Sequence, residues 1–423
     1  MNVIEELRWR GALFDMTPGA EELLAREKIT VYVGFDPTAR SLHIGNLVPI
    51  MGLVRMQRHG HSPIAIVGGG TGMIGDPSGR SDERQLLSVA EIEDNVAGIG
   101  AQLERFLDFR AQTNPARLIN NADWLRSALM VDFLRDVGKH FTVNYMLSKE
   151  SVATRLGREQ WLSFTEFSYM LLQSYDFMVL HDRYGCLAQM GGSDQWGNIL
   201  AGVELIRRAR STQVHAISYP LITTASGEKF GKSVGDAPTL DPADTSPFRF
   251  YQFWLNVADA DVIAYMRLFT LLESDEIAPH TEAVAQEPQK RAAQRELARV
   301  MTEMVHGQAG LETAQKATEV LFGGEIEGLS AAELLDIFAE VPSTEIPRDR
   351  FAGGRMPLVQ LLVAAGAASS NGEARRLIQG GGVYLNNRRA PDTTAAADLK
   401  QAADGRVFVL RRGARSYFMV HVV

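Results

Sequence analysis

Apolar runs alternate with helical patterns along the first 250 residues of the chain. A β-branched run at 29–35 (ITVYVGF) predicts a buried strand, and a turn-rich segment and an amphipathic helix follow it. The predicted strands are 29–35, 63–67, 187–191 and 216–222, and the predicted helices are 47–59, 88–109 and 163–180. Strands that alternate with helices favour an α/β fold, a doubly wound parallel sheet with helices on both faces.

The pattern changes near residue 247. Residues 247–322 have helical periodicity and few strand signals, which predicts an α-helical domain. Residues 323–354 contain paired glycines and two prolines, which predict a linker. In 355–423, two short helical stretches and the runs VYL and VFVL predict a small α+β domain. The first domain is then 1–246.

Composition excludes several classes of protein. Of the 423 residues, 45% are hydrophobic and 22% are charged, which is typical of a globular chain. The sequence has neither an apolar run of the ~18 residues that a membrane span needs nor a secretory signal pattern, so we expect a cytoplasmic protein with no membrane segment. The single cysteine, Cys186, excludes a disulfide framework and a cysteine-based zinc site.

Charge is unevenly distributed. The formal net charge of −8 argues against nucleic-acid binding by the whole surface. Residues 351–423 nevertheless hold nine arginines and one lysine against four acidic residues. This basic region predicts a module for an anionic partner. Only eight of the 43 basic residues are lysines. Two lysines close together in the sequence are therefore unexpected and indicate a specific role.

Two short segments carry groups that suit phosphates. In His43-Ile44-Gly45-Asn46, a loop enters a predicted helix, whose first N–H groups and positive dipole end attract anions. A surface histidine beside a helix-start glycine explains that segment equally well. Lys229-Phe230-Gly231-Lys232-Ser233 contains two of the eight lysines, and compact ammonium groups suit a polyphosphate. A solvated turn is the alternative there.

Two other segments carry polar groups in apolar surroundings. Tyr169, Gln173 and Asp176 share one face of the predicted helix 163–180, and such a stripe needs either a polar ligand or an internal hydrogen-bond network. The segment 191–198 (GGSDQWGN) follows a predicted strand, where doubly wound sheets bind ligands. Its Asp194 could accept from ribose hydroxyls or could simply cap the next helix.

Together these segments resemble the signatures of one family. HIGN and KFGKS resemble the HIGH and KMSKS motifs of class I aminoacyl-tRNA synthetases. YVGFDPTARSLHIGN, GDPSGRSDER, TEFSYMLLQSYDF and GGSDQWGN resemble the bacterial tyrosyl enzymes of that family. The C-terminal ARRLIQGGGVYLNN resembles the S-four-type RNA-binding domain that those enzymes carry.

The resemblance implies an organisation and a reaction. It implies a Rossmann-like catalytic domain with a dimerisation insertion, an anticodon-binding helical domain and an RNA-binding domain. The reaction implied is activation of L-tyrosine by ATP, with Mg²⁺, to tyrosyl-adenylate and pyrophosphate, and transfer of tyrosine to the 3′ end of tRNA(Tyr). A homodimer is expected, with its interface around 129–146, and no protein-bound structural metal is expected.

The resemblance also assigns roles to matching positions. The residues that it assigns to tyrosine are Tyr32 and Asp176 at the phenol hydroxyl, Tyr169, Gln173 and Asp76 at the α-ammonium group, and Gly34, Asp36 and Gln195 along the site. Those that it assigns to ATP are His43, Gly45, Asn46, Gly192, Asp194 and Lys232. Those that it assigns to the reacting phosphates are Thr38, His43, Arg80, Arg84, Lys229, Lys232 and Ser233. Those that it assigns to RNA are Arg375, Arg376, Arg388, Arg389, Arg411, Arg412 and Arg415.

Two positions depart from the family pattern. Asn46 stands in place of the second signature histidine, and Arg80 stands where the family pattern has lysine.

Three other functions are possible alternatives: a tryptophanyl enzyme, a small-molecule nucleotidylyltransferase and a non-catalytic RNA-binding protein derived from a synthetase. Tyr32, Asp176 and the basic C-terminal region favour the tyrosyl enzyme, and retention of both signature lysines argues against loss of catalysis.

Overall fold

The computed structural model describes the chain except for 77–86, 158–160, 226, 228–229, 231–236, 327, 340 and 414–415, and except for the side chains of Glu150 and Ser151. The described residues divide into two units. The first comprises Met1–Thr245 and Phe253–Val305, and the second comprises Ser246–Gln252 and His306–Val423. The domain boundaries at 246, 322 and 354 stay predictions.

A six-stranded sheet organises the first unit. Its strands are β1 (Asp15–Met16), β2 (Thr30–Phe35), β3 (Ser62–Val67), β4 (Arg117–Asn120), β5 (Cys186–Gly192) and β6 (His215–Tyr219). They lie in the order β1-β6-β5-β2-β3-β4. Strand β1 is antiparallel to β6, and every other pair is parallel. The predicted doubly wound parallel sheet is confirmed.

Helices alternate with these strands and follow them along the chain. They are α1 (Val3–Trp9), α2 (Ala20–Arg26), α3 (Leu47–Arg58), α4 (Val89–Leu103), α5 (Ala122–Leu125), α6 (Met130–Asp136), α7 (Val143–Leu147), α8 (Glu150–Gly157), α9 (Phe164–Tyr184), α10 (Trp196–Arg210), α11 (Pro247–Leu255), α12 (Asp259–Phe269), α13 (Ser274–Gln286) and α14 (Ala292–Leu321). None of the helices in the described part of the chain is both long and apolar enough to cross a membrane.

Helix α9 has clear local causes and a buried apolar face. Ser163 and Glu166 form a capping box at its start, and Gly185, with a φ of 62°, ends it. Its Phe177, fully buried, packs with Tyr32 of β2 in one apolar cluster. Because this cluster joins helix to sheet, it fixes the polar stripe of α9 relative to the strand ends.

The second unit contains a smaller sheet. Its strands are β7 (Ser343–Ile346), β8 (Arg355–Pro357), β9 (Val383–Leu385), β10 (Arg388–Arg389), β11 (Ala396–Asp398), β12 (Val407–Arg412) and β13 (Ser416–Val422), and its further helices are α15 (Ala331–Ile337), α16 (Leu358–Ala364) and α17 (Asn371–Gln379). Five strands follow the order β10-β9-β12-β13-β7, and β8 pairs with β11. The predicted linker therefore contains a helix and an edge strand, because β7 pairs in parallel with β13.

Candidate active site

The predicted site residues Asp36 and Gln195, together with Thr71, which the sequence did not indicate, lie at the carboxyl ends of three adjacent strands. Asp36 follows β2, Thr71 lies just beyond β3, and Gln195 lies just beyond β5. Strand β2 lies between β3 and β5, so the strand order reverses at this point. Doubly wound sheets bind their ligands in the crevice at such a reversal.

One part of the site is a hydrogen-bond network around Asp36. Tyr169 donates its phenol proton to Asp36 Oδ2 over 3.0 Å, and the Thr71 hydroxyl donates to Oδ1 over 3.1 Å. Burial and the neighbouring carboxylates, Asp36 first, raise the pKa of Tyr169, so its hydroxyl stays a donor. Both oxygens of Asp36 are thus engaged, and this orients α9 towards the end of β2.

A second group of hydrogen bonds surrounds Asp176. Its Oδ2 accepts from Asn121 Nδ2 over 2.8 Å, and its Oδ1 accepts from Trp124 Nε1 over 2.7 Å. Burial nevertheless raises the pKa of Asp176 to about 8. Asn121 also donates to Thr71 over 2.9 Å, which joins the two groups. Sequence reasoning missed Asn121 and Trp124, although Asn121 directly follows β4 at the same edge of the sheet.

Three buried polar atoms in this region have no hydrogen-bond partner among the described residues. They are the Tyr32 hydroxyl, Gln173 Oε1 and Gln189 Oε1. Tyr32 and Gln189 are paired across β2 and β5, so they share one face of the sheet. Burial and the charge of Asp176 raise the pKa of Tyr32, which keeps this phenol neutral. Each unpaired atom costs about 1–3 kcal/mol, so a polar ligand that pairs them would be stabilised.

The alternatives left open for α9 both hold in part. Tyr169 and Asp176 have internal partners, as an internal network requires. Gln173 Oε1 has no such partner within the described part of the chain, which favours a polar ligand beside it.

Gln195 and Asp76 form a further hydrogen bond at this end of the sheet, and Gly34 lies one residue before the end of β2. Gln195 Nε2 donates to Asp76 Oδ2 over 2.6 Å, and Asp76 is only 8% exposed. Gly34 is exposed within β2, and a Cβ built there meets no described atom within 4 Å. The backbone of β2 therefore borders open space beside the network, which is room for a ligand.

The HIGN segment forms a turn before α3. His43 Nδ1 accepts from the Gly45 N–H over 3.0 Å, and Asn46 Oδ1 accepts from the His43 N–H over 3.0 Å. The first bond needs an unprotonated Nδ1, which puts the proton of neutral His43 on Nε2. A Cβ on Gly45 would lie 2.7 Å from the His43 ring, so this turn requires glycine. Asn46 therefore serves as a structural cap of the signature turn.

The ends of β2 and β5 also carry exposed polar groups. Thr38 and Asp194 are both exposed, and a Cβ on Gly192 would lie 2.4 Å from Asp194 Oδ1. No side-chain cap hydrogen bond starts α10, so the capping role considered for Asp194 is not observed in the described residues.

Several predicted residues lie outside the described residues. They are Arg80, Arg84, Lys229, Lys232, Ser233 and Arg415. The remaining residues assigned to RNA belong to the second unit.

These arginines differ in their surroundings. Arg375 and Arg376 are exposed on α17, and Arg388 and Arg389 are exposed on β10. The guanidinium of Arg411 lies 3.7 Å from the centre of the Tyr384 ring.

Arg412 also has a structural partner, because its Nη1 donates to Ala367 O over 3.0 Å. Arg411 and Arg412 therefore have structural contacts within the unit, and the other four are exposed, with Arg388 Nη2 lying 4.0 Å from Glu325 Oε1.

Two family models match the chain. Residues 24–323 match tRNA synthetases class I (W and Y), and residues 333–420 match the tyrosine--tRNA ligase SYY-like C-terminal domain. The first match covers more than half of the chain and includes the whole strand-end site, together with both signature segments.

Curated relatives and solved structures agree with these models. A tyrosine--tRNA ligase of Roseiflexus castenholzii is 52% identical over 421 residues, which is 100% of this chain and 99% of that protein, and one of Opitutus terrae is 47% identical over 100% of both. A C-terminally truncated mitochondrial tyrosyl-tRNA synthetase of Coccidioides posadasii is 32% identical, with a TM-score of 0.65 over 75% of this chain and 91% of that one. The corresponding Aspergillus nidulans structure is 29% identical, with a TM-score of 0.69 over 76% and 94%. The chain belongs to the class I tRNA synthetases, and within them to the family of bacterial tyrosine--tRNA ligases.

Proposed function

We propose that this chain activates L-tyrosine with ATP and transfers it to tRNA(Tyr). The observation that carries this proposal is the buried hydroxyl of Tyr32, which lies near the buried Asp176 and has no hydrogen-bond partner among the described residues. A phenol hydroxyl can both donate and accept a hydrogen bond, so it can satisfy a neutral tyrosine and a carboxyl group together. Phenylalanine would leave the Tyr32 hydroxyl without a partner among the described residues, and tryptophan presents only an N–H donor.

The amino-acid end of the substrate needs acceptors and a negative charge. Gln173 Oε1 is buried and has no partner among the described residues, and Asp76 is a buried carboxylate that accepts from Gln195. A protonated α-ammonium group offers three N–H donors and a positive charge. Gln173 Oε1 and the Asp76 carboxylate can accept these hydrogen bonds, and the carboxylate also balances the charge. Tyr169 is the third residue of this set, and its hydrogen bond to Asp36 directs its hydroxyl towards the end of β2.

We assign ATP to the HIGN turn and to the residues at the end of β5. We assign the ribose to Asp194 and Gly192, and the phosphates to His43 and Thr38. An N–H on His43 Nε2 gives a neutral donor, and Gly45 keeps the turn open. The residues that we assign to the departing pyrophosphate are Arg80, Arg84, Lys229, Lys232 and Ser233, with Mg²⁺ entering as part of the ATP substrate.

The reaction consists of two transfers. A carboxylate oxygen of tyrosine attacks the α-phosphorus of ATP, the new O–P bond forms, and the bond to pyrophosphate breaks. A ribose hydroxyl of the terminal tRNA adenosine then attacks the tyrosyl carbonyl, loses its proton, and releases AMP. The first step depends on alignment and on charge stabilisation more than on a proton-transfer residue. A site made of fixed donors and cations suits that requirement.

We also propose a cytoplasmic homodimer that uses the surface around α6. Leu129, Met130 and Val131 are 70%, 72% and 76% exposed, and Leu134 is 46% exposed. Contiguous apolar side chains at the surface commonly mark a protein interface. Sedimentation of the wild type and of Met130→Glu tests this, because the charged variant is expected to shift the chain towards the monomer.

ATP–pyrophosphate exchange with tyrosine, tryptophan and phenylalanine in separate reactions tests the proposed activity. We expect exchange with tyrosine alone. Exchange with tryptophan would favour the tryptophanyl alternative. Absence of exchange in a folded preparation would favour the non-catalytic RNA-binding alternative and contradict the proposal.

A further inference from the structure

One side of α4 contacts the loop that joins β2 to the HIGN turn. Asn95, Gly98 and Gln102 are spaced by three and four residues along α4, so they lie on one face of the helix. At one end of this face, Asn95 Nδ2 donates to Pro37 O over 3.0 Å. This contact holds the loop directly before Thr38, which we assign to the phosphates.

Gln102 holds the other end of the loop with both halves of its side-chain amide. Its Oε1 accepts from the Leu42 N–H over 2.9 Å, and its Nε2 donates to Ser41 Oγ over 3.0 Å. Gln102 is 5% exposed and Leu42 is 4% exposed, so water competes little for these hydrogen bonds. Because Leu42 directly precedes His43, the contact fixes the backbone at the start of the HIGN turn.

Between these two contacts, α4 approaches the loop closely at Gly98. A Cβ built on Gly98 would lie 2.5 Å from Arg40 O, which is a backbone atom. A side chain at this position would therefore displace the loop. Glycine destabilises the interior of a helix, so the close approach accounts for its presence in α4.

A second segment holds the end of the same loop through its backbone. The Ile44 N–H donates to Pro238 O over 3.0 Å, and the Leu240 N–H donates to Leu42 O over 2.8 Å. The start of the HIGN turn is thus held by two separate elements. Of these, α4 contributes side-chain contacts that a substitution can remove.

We propose that Asn95, Gly98 and Gln102 are positioning residues, which set Thr38 and His43 at the separation that the phosphates of ATP require. Thr38 and His43 lie near the two ends of the loop, and both are exposed. The geometry of such a loop depends on the helix face packed against it. Displacing reacting groups by about 1 Å can cost roughly 100-fold in rate. The inference rests on the phosphate role proposed above for Thr38 and His43.

Gly98→Ala tests the close approach. Alanine favours a helix more than glycine does, so α4 should stay folded while the new methyl group pushes the Arg40 carbonyl away. We expect kcat of ATP–pyrophosphate exchange to fall roughly 10- to 100-fold, with the tyrosine Kd unchanged. The matched control is Gly100→Ala on the same helix. Its Cβ would lie 2.9 Å from the end of the Leu118 side chain, which is 37% exposed and can move, so kcat should not change.

Gln102→Met tests the hydrogen bonds. Methionine has a similar volume but no amide, so the loop loses both bonds while α4 keeps its packing. We expect kcat to fall roughly 10-fold, with the tyrosine Kd unchanged. The matched control is Gln57→Met, because Gln57 Nε2 donates to Asp108 O over 2.7 Å and its Oε1 accepts from the Asp108 N–H over 3.0 Å. This control should lose stability and keep its kcat, and an equal loss of kcat in it would overturn the inference.

A double variant shows whether Gln102 acts through His43. Once His43→Asn has removed the Nε2 donor, Gln102→Met should lower kcat by only about threefold or less, because coupled residues are not additive. Equal losses in both backgrounds, or wild-type kcat in Gln102→Met and Gly98→Ala, would overturn the inference. Full exchange in Thr38→Ala and His43→Asn would reject the phosphate role and the inference with it. Loss in those two variants with full activity in the α4 variants would reject only the positioning role.

Discussion

The phenol of Tyr169 and the carboxylate of Asp36 are joined by a 3.0 Å hydrogen bond across 133 residues of sequence. The bond connects the middle of α9 to the end of β2, and Asp36 is held on its other oxygen by Thr71. The polar stripe of α9 is therefore oriented before a substrate enters. Such prior orientation lowers the cost of binding, because fewer groups must be ordered by the ligand.

Tyr169→Phe tests that orientation. Removing one hydroxyl leaves Asp36 without one donor and the α-ammonium site without one contact, so we expect kcat/KM for tyrosine to fall roughly 10-fold. Exchange kinetics at varied tyrosine give the value. Tyr184→Phe makes the same change at the far end of α9 and should have no effect. Equal losses in the two variants would show that the position of the hydroxyl does not matter.

Asp176 predicts a pH dependence of stability. Its folded pKa of about 8 is above the ordinary value near 4, so the folded state holds this proton more tightly than the unfolded state. The contribution of this proton to the free energy of unfolding is therefore retained below pH 4. It is lost as the pH rises to about 8, by at most about 1.4 kcal/mol per pH unit. Denaturant unfolding of the wild type and of Asp176→Asn between pH 5 and 8 measures it. The stability of the wild type should fall relative to the variant, and parallel curves would contradict the raised pKa.

His43→Asn separates the capping role of His43 from its proposed role in catalysis. Asparagine can accept the Gly45 N–H at a helix start, but it lacks the Nε2 donor. We expect kcat of exchange to fall roughly 100-fold, the cost of one lost donor to developing charge, with the tyrosine Kd unchanged. Full activity in this variant would reduce His43 to a structural cap.

Charge reversal on α17 tests the RNA contacts. Removing 351–423 is a poor test, because Val409 and Met419 pack with Leu334 and Phe338 in one core and the deletion would expose those side chains. The double variant Arg375→Glu/Arg376→Glu changes only exposed positions.

For this variant we expect the KM for tRNA to rise at least 10-fold, with exchange unaffected and with a weaker salt dependence of charging. Arg26→Glu, exposed on α2, is the control. Equal effects on exchange and charging would contradict a separate RNA surface.

The strong elements of the fold were predictable from the sequence, and the short ones were not. β2 is a run of β-branched and aromatic residues, and its observed bounds are within one residue of the prediction. β1 has two residues and pairs only at the sheet edge, so no periodicity can indicate it. β4 (RLIN) has no buried residue, and β7 is defined by its pairing with β13, more than 70 residues later.

Site residues could be predicted only where a local sequence pattern marks them. Tyr169, Gln173 and Asp176 were found because a polar stripe on an apolar helix is unusual. Asn121 and Trp124 were missed because their partners lie more than 50 residues away and no local pattern marks them. Asn121 and Trp124, at the start of α5, meet α9 only in the folded chain.

We propose that Tyr32 and Asp176 together recognise the phenol hydroxyl of the substrate. The most direct measurement is the ratio of kcat/KM for tyrosine to that for phenylalanine in exchange, in the wild type and in Tyr32→Phe. Loss of one buried partner should lower this ratio roughly 10- to 100-fold, through a loss of activity with tyrosine while activity with phenylalanine changes little. An unchanged ratio in a folded Tyr32→Phe variant would contradict the account.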